Sequence, residues 1–475
     1  MHEIQHLIDG ESVPSLEGGT FESIDPAARC PHAVVARGTV RDADRAVRAA
    51  RRAFDHGPWA LLSPDERGAL LHRLADLLLG HADELAELDS RDMGKPIAQA
   101  RARDVPRAAH NFRFFADYAA MATDEAIPMA SGHHAYTRRE PVGVTAALSP
   151  WNFPLMLATW KVAPALAFGN TVVLKPAEQA PSSCARLGEL ALQAGLPPGV
   201  LNVVQGFGPE EAGEGLTTHR GVDLVTFTGE TATGRAILAA VAPTLKPVSF
   251  ELGGKAASVV FADCDLDEAV HVASHAAFVN AGQVCLAGSR IFVESPVYDE
   301  FVARLVQVAE GLRVGDPSDP ATEVGPLSSG EHHAKVRGHL VDAERDGAKV
   351  RCGGVADGWW IAPTVLTDVR PEMRICREEV FGPVVTVQPF DRDAEAVSLA
   401  NDTHYGLNAM VFTRELSRAH RMADALAAGT VWVNCFNVRD LRLPFGGFKD
   451  SGIGREGGEH SRDFFTEAKA VVMQT

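Results

Sequence analysis

Residues 142–178 read VGVTAALSPWNFPLMLATWKVAPALAFGNTVVLKPAE. A short run rich in small and β-branched residues at 142–148 is followed, between Pro150 and Pro154, by a break. An Ala/Leu-rich run then spans 155–167, and after Gly169-Asn170 a second β-branched run spans 171–174. Short apolar runs bounded by Gly and Pro predict strands, and the longer run between them predicts a helix. Strand, helix, strand is the repeating unit of a parallel sheet covered by helices.

Outward from this stretch the alternation continues. Strands are predicted at 201–204, 224–227 and 258–261 and helices at 182–194 and 232–241, an order typical of dinucleotide-binding sheets. After Asp265 a second alternation, with strands at 290–293, 384–389, 409–412 and 430–433, predicts a second α/β domain. Upstream, from Asp42 to Ala120, apolar residues such as Leu70, Leu71, Leu74, Leu77 and Leu78 recur at helical spacing. The expected division is 1–120 with 142–252 as the cofactor domain and 253–445 as the catalytic domain. The remaining stretches, 121–141 and 446–475, are expected to serve oligomerisation.

A chain of 475 residues, 46% hydrophobic and 23% charged, buries a large core. Its 62 acidic against 45 basic side chains argue against a nucleic-acid partner, which requires a positive surface. The apolar region 155–168 is interrupted by Lys161 and Pro164 and is too short to span a bilayer. The first residues, Met1 to His6, show neither the basic start nor the apolar stretch of a secretory signal, so a cytoplasmic location is expected. Seven cysteines without a C-x-x-C pair give no zinc or redox signature. The His133-His134 and His332-His333 pairs lack further ligands at metal-binding spacing and are expected to be solvated loop residues, so no metal is expected.

Several segments carry candidate chemistry. Cys285 lies among small residues in Asn280-Ala281-Gly282-Gln283-Val284-Cys285-Leu286-Ala287-Gly288, where a substrate and backbone amides can come close to the thiol; the bland alternative is a buried, inert cysteine. Glu251 ends a strand-like run before Gly253-Gly254 and is suited to a general base, or is simply a surface glutamate before a turn. Asn152, between Pro150 and Pro154, can donate to an oxyanion or can merely stabilise a turn. Lys175 and Glu178 follow a strand at the carboxyl end of the sheet, where they can hold ribose hydroxyls, and an acid there repels a 2′-phosphate. The run Phe227-Thr228-Gly229-Glu230-Thr231 leads from a strand to a helix start, a weak signal for pyrophosphate binding. Glu379 and Phe381 place a carboxylate and an aromatic ring in one loop.

In this order, the segments resemble the aldehyde dehydrogenase superfamily from about Gly10 to the C-terminal segment. The resemblance implies a Rossmann-like cofactor domain, an α/β catalytic domain and a small β oligomerisation segment. It implies Cys285 as nucleophile, Glu251 as base and Asn152, with the Cys285 amide, as oxyanion donor. It further implies NAD as cofactor, held by Ser149, Trp151, Lys175, Glu178, Phe227, Gly229, Glu230, Leu252, Glu379 and Phe381. Many members carry Ser where this chain has Glu230, and an anion beside the pyrophosphate is electrostatically awkward. A homodimer or homotetramer is implied, with 464–473 and 127–139 as candidate edge strands.

Stretches around Gly206-Phe207-Gly208-Pro209 and from Trp432 through Val438-Arg439-Asp440-Leu441-Arg442 are most similar to the ring-cleavage branch, the 2-hydroxymuconic, 2-aminomuconic and 5-carboxymethyl-2-hydroxymuconic semialdehyde dehydrogenases. By that resemblance the loop before Pro444 lines the substrate mouth, where Arg439 and Arg442 stand. Arg103 and Arg107 lie on a helix facing the same entrance. Guanidinium groups clamp carboxylates, so a small aldehyde bearing an acid is the expected substrate, with Arg103 and Arg439 the leading candidates. A solvated helix face or a subunit salt bridge is the alternative for these arginines. The alternatives in function are a broad-range dehydrogenase for aliphatic or amino aldehydes and, more distantly, a non-catalytic binding protein on the same fold.

Overall fold

The computed structural model describes residues 2–474. Its largest sheet has eight strands. Five of them are parallel and lie side by side in the order Val248–Glu251, Leu224–Thr228, Val144–Leu148, Thr171–Lys175, Leu201–Val203. The strands Val144–Leu148, Thr171–Lys175 and Leu224–Thr228 are buried along their whole length, as parallel strands covered on both faces must be. One face packs against the helices Val40–His56, Ala212–Thr218 and Thr231–Val241. The other packs against Pro154–Ala167 and Ser182–Gln193, with Pro64–Gly80 and Val105–Met121 outside them.

The strand order reverses between Val144–Leu148 and Leu224–Thr228. A reversal leaves a crevice outside the carboxyl ends of the two strands, because the connecting helices depart to opposite faces. Ser149 to Asn152 leave the first strand there, and Gly229 and Glu230 leave the second. Pro154 starts the helix Pro154–Ala167 at a position that needs no backbone N–H.

Antiparallel strands close both edges of this sheet: His6–Ile8 and Glu11–Val13 at one end, and Gly452–Ile453 beside Val248–Glu251 at the other. Strands in the first 41 residues had no counterpart in the sequence reading, and neither did the small sheet of His2–Ile4, Thr20–Asp25 and Cys30–Ala36. The segment 446–475 contributes to the cofactor-type sheet before its last strand joins another.

The second sheet has seven strands, all parallel except at the Lys349–Val355 edge. The strand expected at 258–261 as the last of the first alternation is instead Ala257–Val260, and it lies in this second sheet. Its place in the first is taken by Val248–Glu251. The physical reason is the Gly253-Gly254 pair, where the chain leaves one sheet for the other through a gap with no room for side chains. A Cβ on Gly254 would collide with the carbonyl oxygen of Cys285, and one on Gly253 with the Glu379 carboxylate.

Ala126–Pro128, His133–Pro141 and Thr466–Gln474 form a third, antiparallel sheet. Asn170 ties it to the first. Its side chain accepts from the Gly143 amide at 2.9 Å and donates to the carbonyls of Ala165 at 3.1 Å and Phe465 at 2.8 Å. An Asn170→Ala variant takes this partner from the Gly143 amide and the Phe465 carbonyl, while the Ala165 carbonyl keeps its bond from the residue-170 backbone amide, and should cost roughly 2–4 kcal/mol. We expect a lower Tm and faster amide exchange in Thr466–Gln474 than in the sheet core; uniform exchange rates would show that Asn170 does not anchor that strand.

Candidate active site

Cys285 follows a turn of unusual backbone. Asn280 (φ 54°), Ala281 (φ 53°) and Gly282 (φ 67°) are consecutive left-handed residues. For the first two this conformation costs of order 1–2 kcal/mol each, so side-chain hydrogen bonds must hold it. The Asn280 amide donates to the Asn152 carbonyl at 3.0 Å, and the Gln283 amide donates back to the Asn280 carbonyl at 3.2 Å. The Gln283 Oε1 accepts from the Ser328 amide at 3.0 Å. The result presents Cys285 at the meeting point of two cavities, each about 260 Å³, that it lines together with Thr228.

The first cavity occupies the crevice where the strand order reverses. Trp151, Asn152, Gly229, Glu230, Leu252, Glu379 and Phe381, all expected cofactor-side or catalytic residues, line it. Ser149, Lys175, Glu178 and Phe227 do not. Ser149 and Lys175 sit buried at the carboxyl ends of adjacent strands, with the Ser149 amide donating to the Lys175 carbonyl at 3.1 Å. Lys175 Nζ donates to the Pro176 carbonyl at 2.8 Å and stands 3.8 Å from Glu178. Phe227 belongs to the core beneath the crevice, against the site of any Cβ on Gly229.

Glu379 accepts from the Gly254 amide at 2.8 Å, and burial raises its pKa to about 7 against the pull of that amide, Lys335 and Lys255. Phe381 adopts φ 58° and meets Trp151 edge-on at 5.4 Å. His332, expected to be a solvated loop residue, is instead in the first turn of the helix Gly330–Arg345, packed at 5.2 Å from Trp151 and donating to the Phe381 carbonyl at 2.7 Å. Its expectation failed because the dipeptide His332-His333 carries no helix signal of its own; Ser329, which caps the helix by accepting from the His332 amide, was the available one. Burial lowers the His332 pKa to about 4, so the ring is a neutral donor at the cavity wall.

The second cavity is lined by Glu251, Phe153, Trp160, Phe445, Arg107 and Arg439, among others. Glu251 ends its strand 4% exposed, and neither carboxylate oxygen has a hydrogen-bond partner among the described residues. Burial first, and the nearby Glu456 second, hold its pKa well above the usual carboxylate range, against Lys161, Arg439 and Arg455. Lys161 is itself buried, donating to Glu456 at 3.0 Å and to the Thr226 hydroxyl at 3.1 Å. Burial and the carboxylates of Glu379 and Glu251 push the Cys285 thiol up to about 12, while Arg439 and its own amide pull it down. The Asn152 side chain donates one N–H to the Gln283 carbonyl at 2.9 Å, and Asn152 lines the first cavity together with Cys285.

The four candidate arginines separate. Arg439 stacks on Phe445 at 3.7 Å and lies 5.4 Å from the Trp160 ring, with no carboxylate partner within salt-bridge distance among the described residues. Arg107 lies 5.6 Å from the same Trp160 ring and donates to Asn111 at 3.2 Å. Arg103 is exposed at the rim beside His275, 3.2 Å away, and Arg442 is exposed and paired with Asp440. Arg107, the less favoured of its pair in the sequence, is thus the one that faces Arg439. Helical spacing puts residues 103 and 107 on one face, and both line the second cavity, Arg103 from the π-helical turn Ala100–Asp104 and Arg107 from the helix Val105–Met121.

The fold, the thiol between two cavities and the buried carboxylate define a dehydrogenase of the covalent-cysteine type. The chain belongs to the aldehyde dehydrogenase family, whose model matches residues 13–471. It is 49% identical, over the whole of both chains, to a 2-hydroxymuconic semialdehyde dehydrogenase from Pseudomonas sp. (strain CF600). It is 46% identical to the NADP/NAD-dependent aldehyde dehydrogenase PuuC of Escherichia coli (strain K12), covering 98% of this chain and 94% of that one. The NAD+ complex of an aldehyde dehydrogenase from Bacillus cereus superposes with a TM-score of 0.97 at 43% identity, covering 99% of this chain and 96% of that one.

Gly282 is the tightest point of the thiol loop, since a Cβ there would collide with the Gly382 carbonyl. Gly282→Ala should lower stability by at least about 2 kcal/mol and slow alkylation of Cys285 relative to the six other cysteines. Thermal unfolding and site-resolved mass spectrometry measure both, and unchanged values would mean the loop is not held here.

Proposed function

We propose that the chain oxidises an acidic semialdehyde of the muconic type to the corresponding acid, with NAD as hydride acceptor. The observation that carries this reading is the position of Cys285 at the joint of two cavities. One is suited to a dinucleotide, and the other ends in two guanidinium groups without carboxylate partners.

The first cavity fits the cofactor on its own features. The helix Thr231–Val241 begins there with no side-chain cap on its amides. The free Oε2 of Glu379 is placed to accept from a ribose hydroxyl. Trp151 and Phe381 offer aromatic surfaces for a nicotinamide ring. Near Lys175, Glu178 would meet a 2′-phosphate with like charge, which favours NAD over NADP. The bound nicotinamide supplies the acceptor for the aldehyde hydride.

The chain's own groups divide the remaining work. Cys285 Sγ forms a bond to the aldehyde carbon as its proton passes to a water molecule, and the oxyanion takes hydrogen bonds from the Asn152 side chain and the Cys285 amide. Loss of hydride from that adduct leaves a thioester on Cys285. Glu251, once ionised, takes a proton from water; the hydroxide adds to the thioester carbon, the C–S bond breaks, and the acid departs. A carboxylate with no hydrogen-bond donors of its own is a strong base when it does ionise, which suits this step.

Arg439 and Arg107 flank Trp160 at the far wall, in contact with rings and with no carboxylate within salt-bridge distance among the described residues. Such groups remain available to a substrate carboxylate. We also read Arg103 as a rim contact for the same acid. For assembly, the outer edge of Thr466–Gln474, largely exposed and unpaired among the described residues, favours a homodimer or homotetramer built by strand addition. The seven free thiols fit a reducing cytoplasmic setting, and no helix among the described residues is long and apolar enough to cross a membrane.

Glu251→Gln should release about one NADH per subunit in a burst and then turn over at least about 100-fold more slowly. Because the raised pKa keeps Glu251 neutral at low pH and ionised at high pH, steady-state turnover of the native enzyme should rise with pH as that proton is lost. The variant should lack this limb; a variant that keeps both steady turnover and the limb would remove Glu251 from the role.

Arg439→Ala should raise KM for a muconic semialdehyde by about 10- to 100-fold and leave KM for a neutral aliphatic aldehyde within about twofold, with Arg107→Ala following the same pattern less strongly. Equal effects on the two substrates, measured as NADH formation, would favour a broad-range dehydrogenase.

A further inference from the structure

One feature of the first cavity is not used by this chemistry. Glu230 occupies the N-cap position of the helix Thr231–Val241, where a carboxylate would ordinarily turn back onto the free amides and be favoured by the helix dipole. It does not. Its Oε1 instead accepts from Lys335 Nζ at 3.1 Å, across the cavity mouth, with the two residues 105 positions apart in sequence. Glu230 extends from the first sheet and Lys335 from the helix Gly330–Arg345 of the second domain, so the ion pair bridges the two walls of the crevice.

The charges lining this cavity make the arrangement consequential. Three carboxylates, Glu230, Glu331 and Glu379, line it against a single ammonium, Lys335, among the described residues. Apart from the uncapped amides of Thr231–Val241, Lys335 is the one positive group among the described residues lining this cavity that can meet a diphosphate. Lys335 cannot serve both anions at full strength. The Glu230 and Lys335 side chains are 63% and 43% exposed, and ion pairs so hydrated are weak and readily exchanged.

We propose that the Glu230–Lys335 pair is an exchangeable latch across the cofactor crevice: an incoming dinucleotide diphosphate takes Lys335 from Glu230, and Glu230 reclaims it as the reduced cofactor leaves. The inference rests on the reading of this cavity as the NAD site. Its consequence is kinetic as well as thermodynamic, since a carboxylate that competes with the ligand for its only counter-ion both weakens binding and assists departure. No bond is made or broken; one ion pair replaces another.

The two partners should therefore have opposite effects on the same quantity. Glu230→Gln frees Lys335 and removes a repulsive charge, so the Kd for NADH should fall about fivefold and the NADH release rate should fall with it. Lys335→Gln removes the counter-ion and leaves Glu230 unpaired beside the diphosphate, so Kd should rise by about fivefold or more. Fluorescence titration with NADH and stopped-flow displacement on the full-length native protein and both variants measure these. If the native protein fails to bind NADH, the cofactor reading falls and the latch with it. If it binds but Glu230→Gln leaves Kd unchanged or raises it, or Lys335→Gln causes no loss, the latch alone is overturned. Opposite shifts of the two variants, with slower release from Glu230→Gln, support it.

Discussion

The structure of the site depends on one close approach, that of the Gly254 backbone to the carbonyl oxygen of Cys285. The chain reaches the last parallel strand of the first sheet at Glu251 and enters the second at Ala257, and the only path between them runs against the thiol loop. No side chain fits at 253 or 254 on this path. Two residues separated by 34 positions are thereby brought to the same cavity, and they are the two whose cooperation the proposed reaction needs. Glu379, donated to by the Gly254 amide, is fixed by the same passage. Glu251, Cys285 and Glu379 thus share one backbone support, so a small shift there would disturb all three.

This support carries an electrostatic load. Glu251 and Glu456 are buried close together, and burial disfavours the ionised forms of Glu251 and Glu379. Compensation comes from few sources: Lys161 bonded to Glu456, Arg439 in the second cavity, and the Gly254 amide. Arg439 therefore has two effects. It offers a positive end to the second cavity, and its field favours the charged forms of both Glu251 and Cys285. In the proposed reaction an acid on the substrate would partly neutralise that field, so recognition and the ionisation of the catalytic groups are coupled through one guanidinium.

The parallel strands were legible because each is a short apolar run between Gly or Pro residues, and their burial on both faces leaves no alternation to confuse with a surface strand. Val144–Leu148, Thr171–Lys175 and Leu224–Thr228 fall within two residues of the predicted bounds. The first 41 residues were not legible: His6–Ile8 and Glu11–Val13 are only three residues each, they pair with one another, and the first reaches the large sheet through Leu7 opposite Val203, almost 200 positions away. The misplacement of 258–261 has a related cause. Periodicity reports that a segment is a strand but not which sheet accepts it, and here a glycine pair decided that. At the site, Cys285 shares one cavity with Asn152 and the other with Glu251, and Arg103 and Arg107 both line the second, Arg103 at its exposed rim and Arg107 deeper, a difference in depth that composition does not reveal.

The same distinction explains how the two cavities differ in kind. The thiol-side ends of both are built from backbone constraints: left-handed residues at 280–282, glycines at 253 and 254, and a Phe381 held at positive φ. Their outer ends are built from exchangeable charges, Arg439 and Arg107 on one side and the Glu230–Lys335 pair on the other. Backbone constraint gives fixed geometry where bonds are to be made. Hydrated or ring-stacked charges give affinities that single substitutions can retune without moving the thiol. A fold organised in this way can change its substrate or its hold on a cofactor at the periphery while the reacting centre stays where the glycine passage puts it.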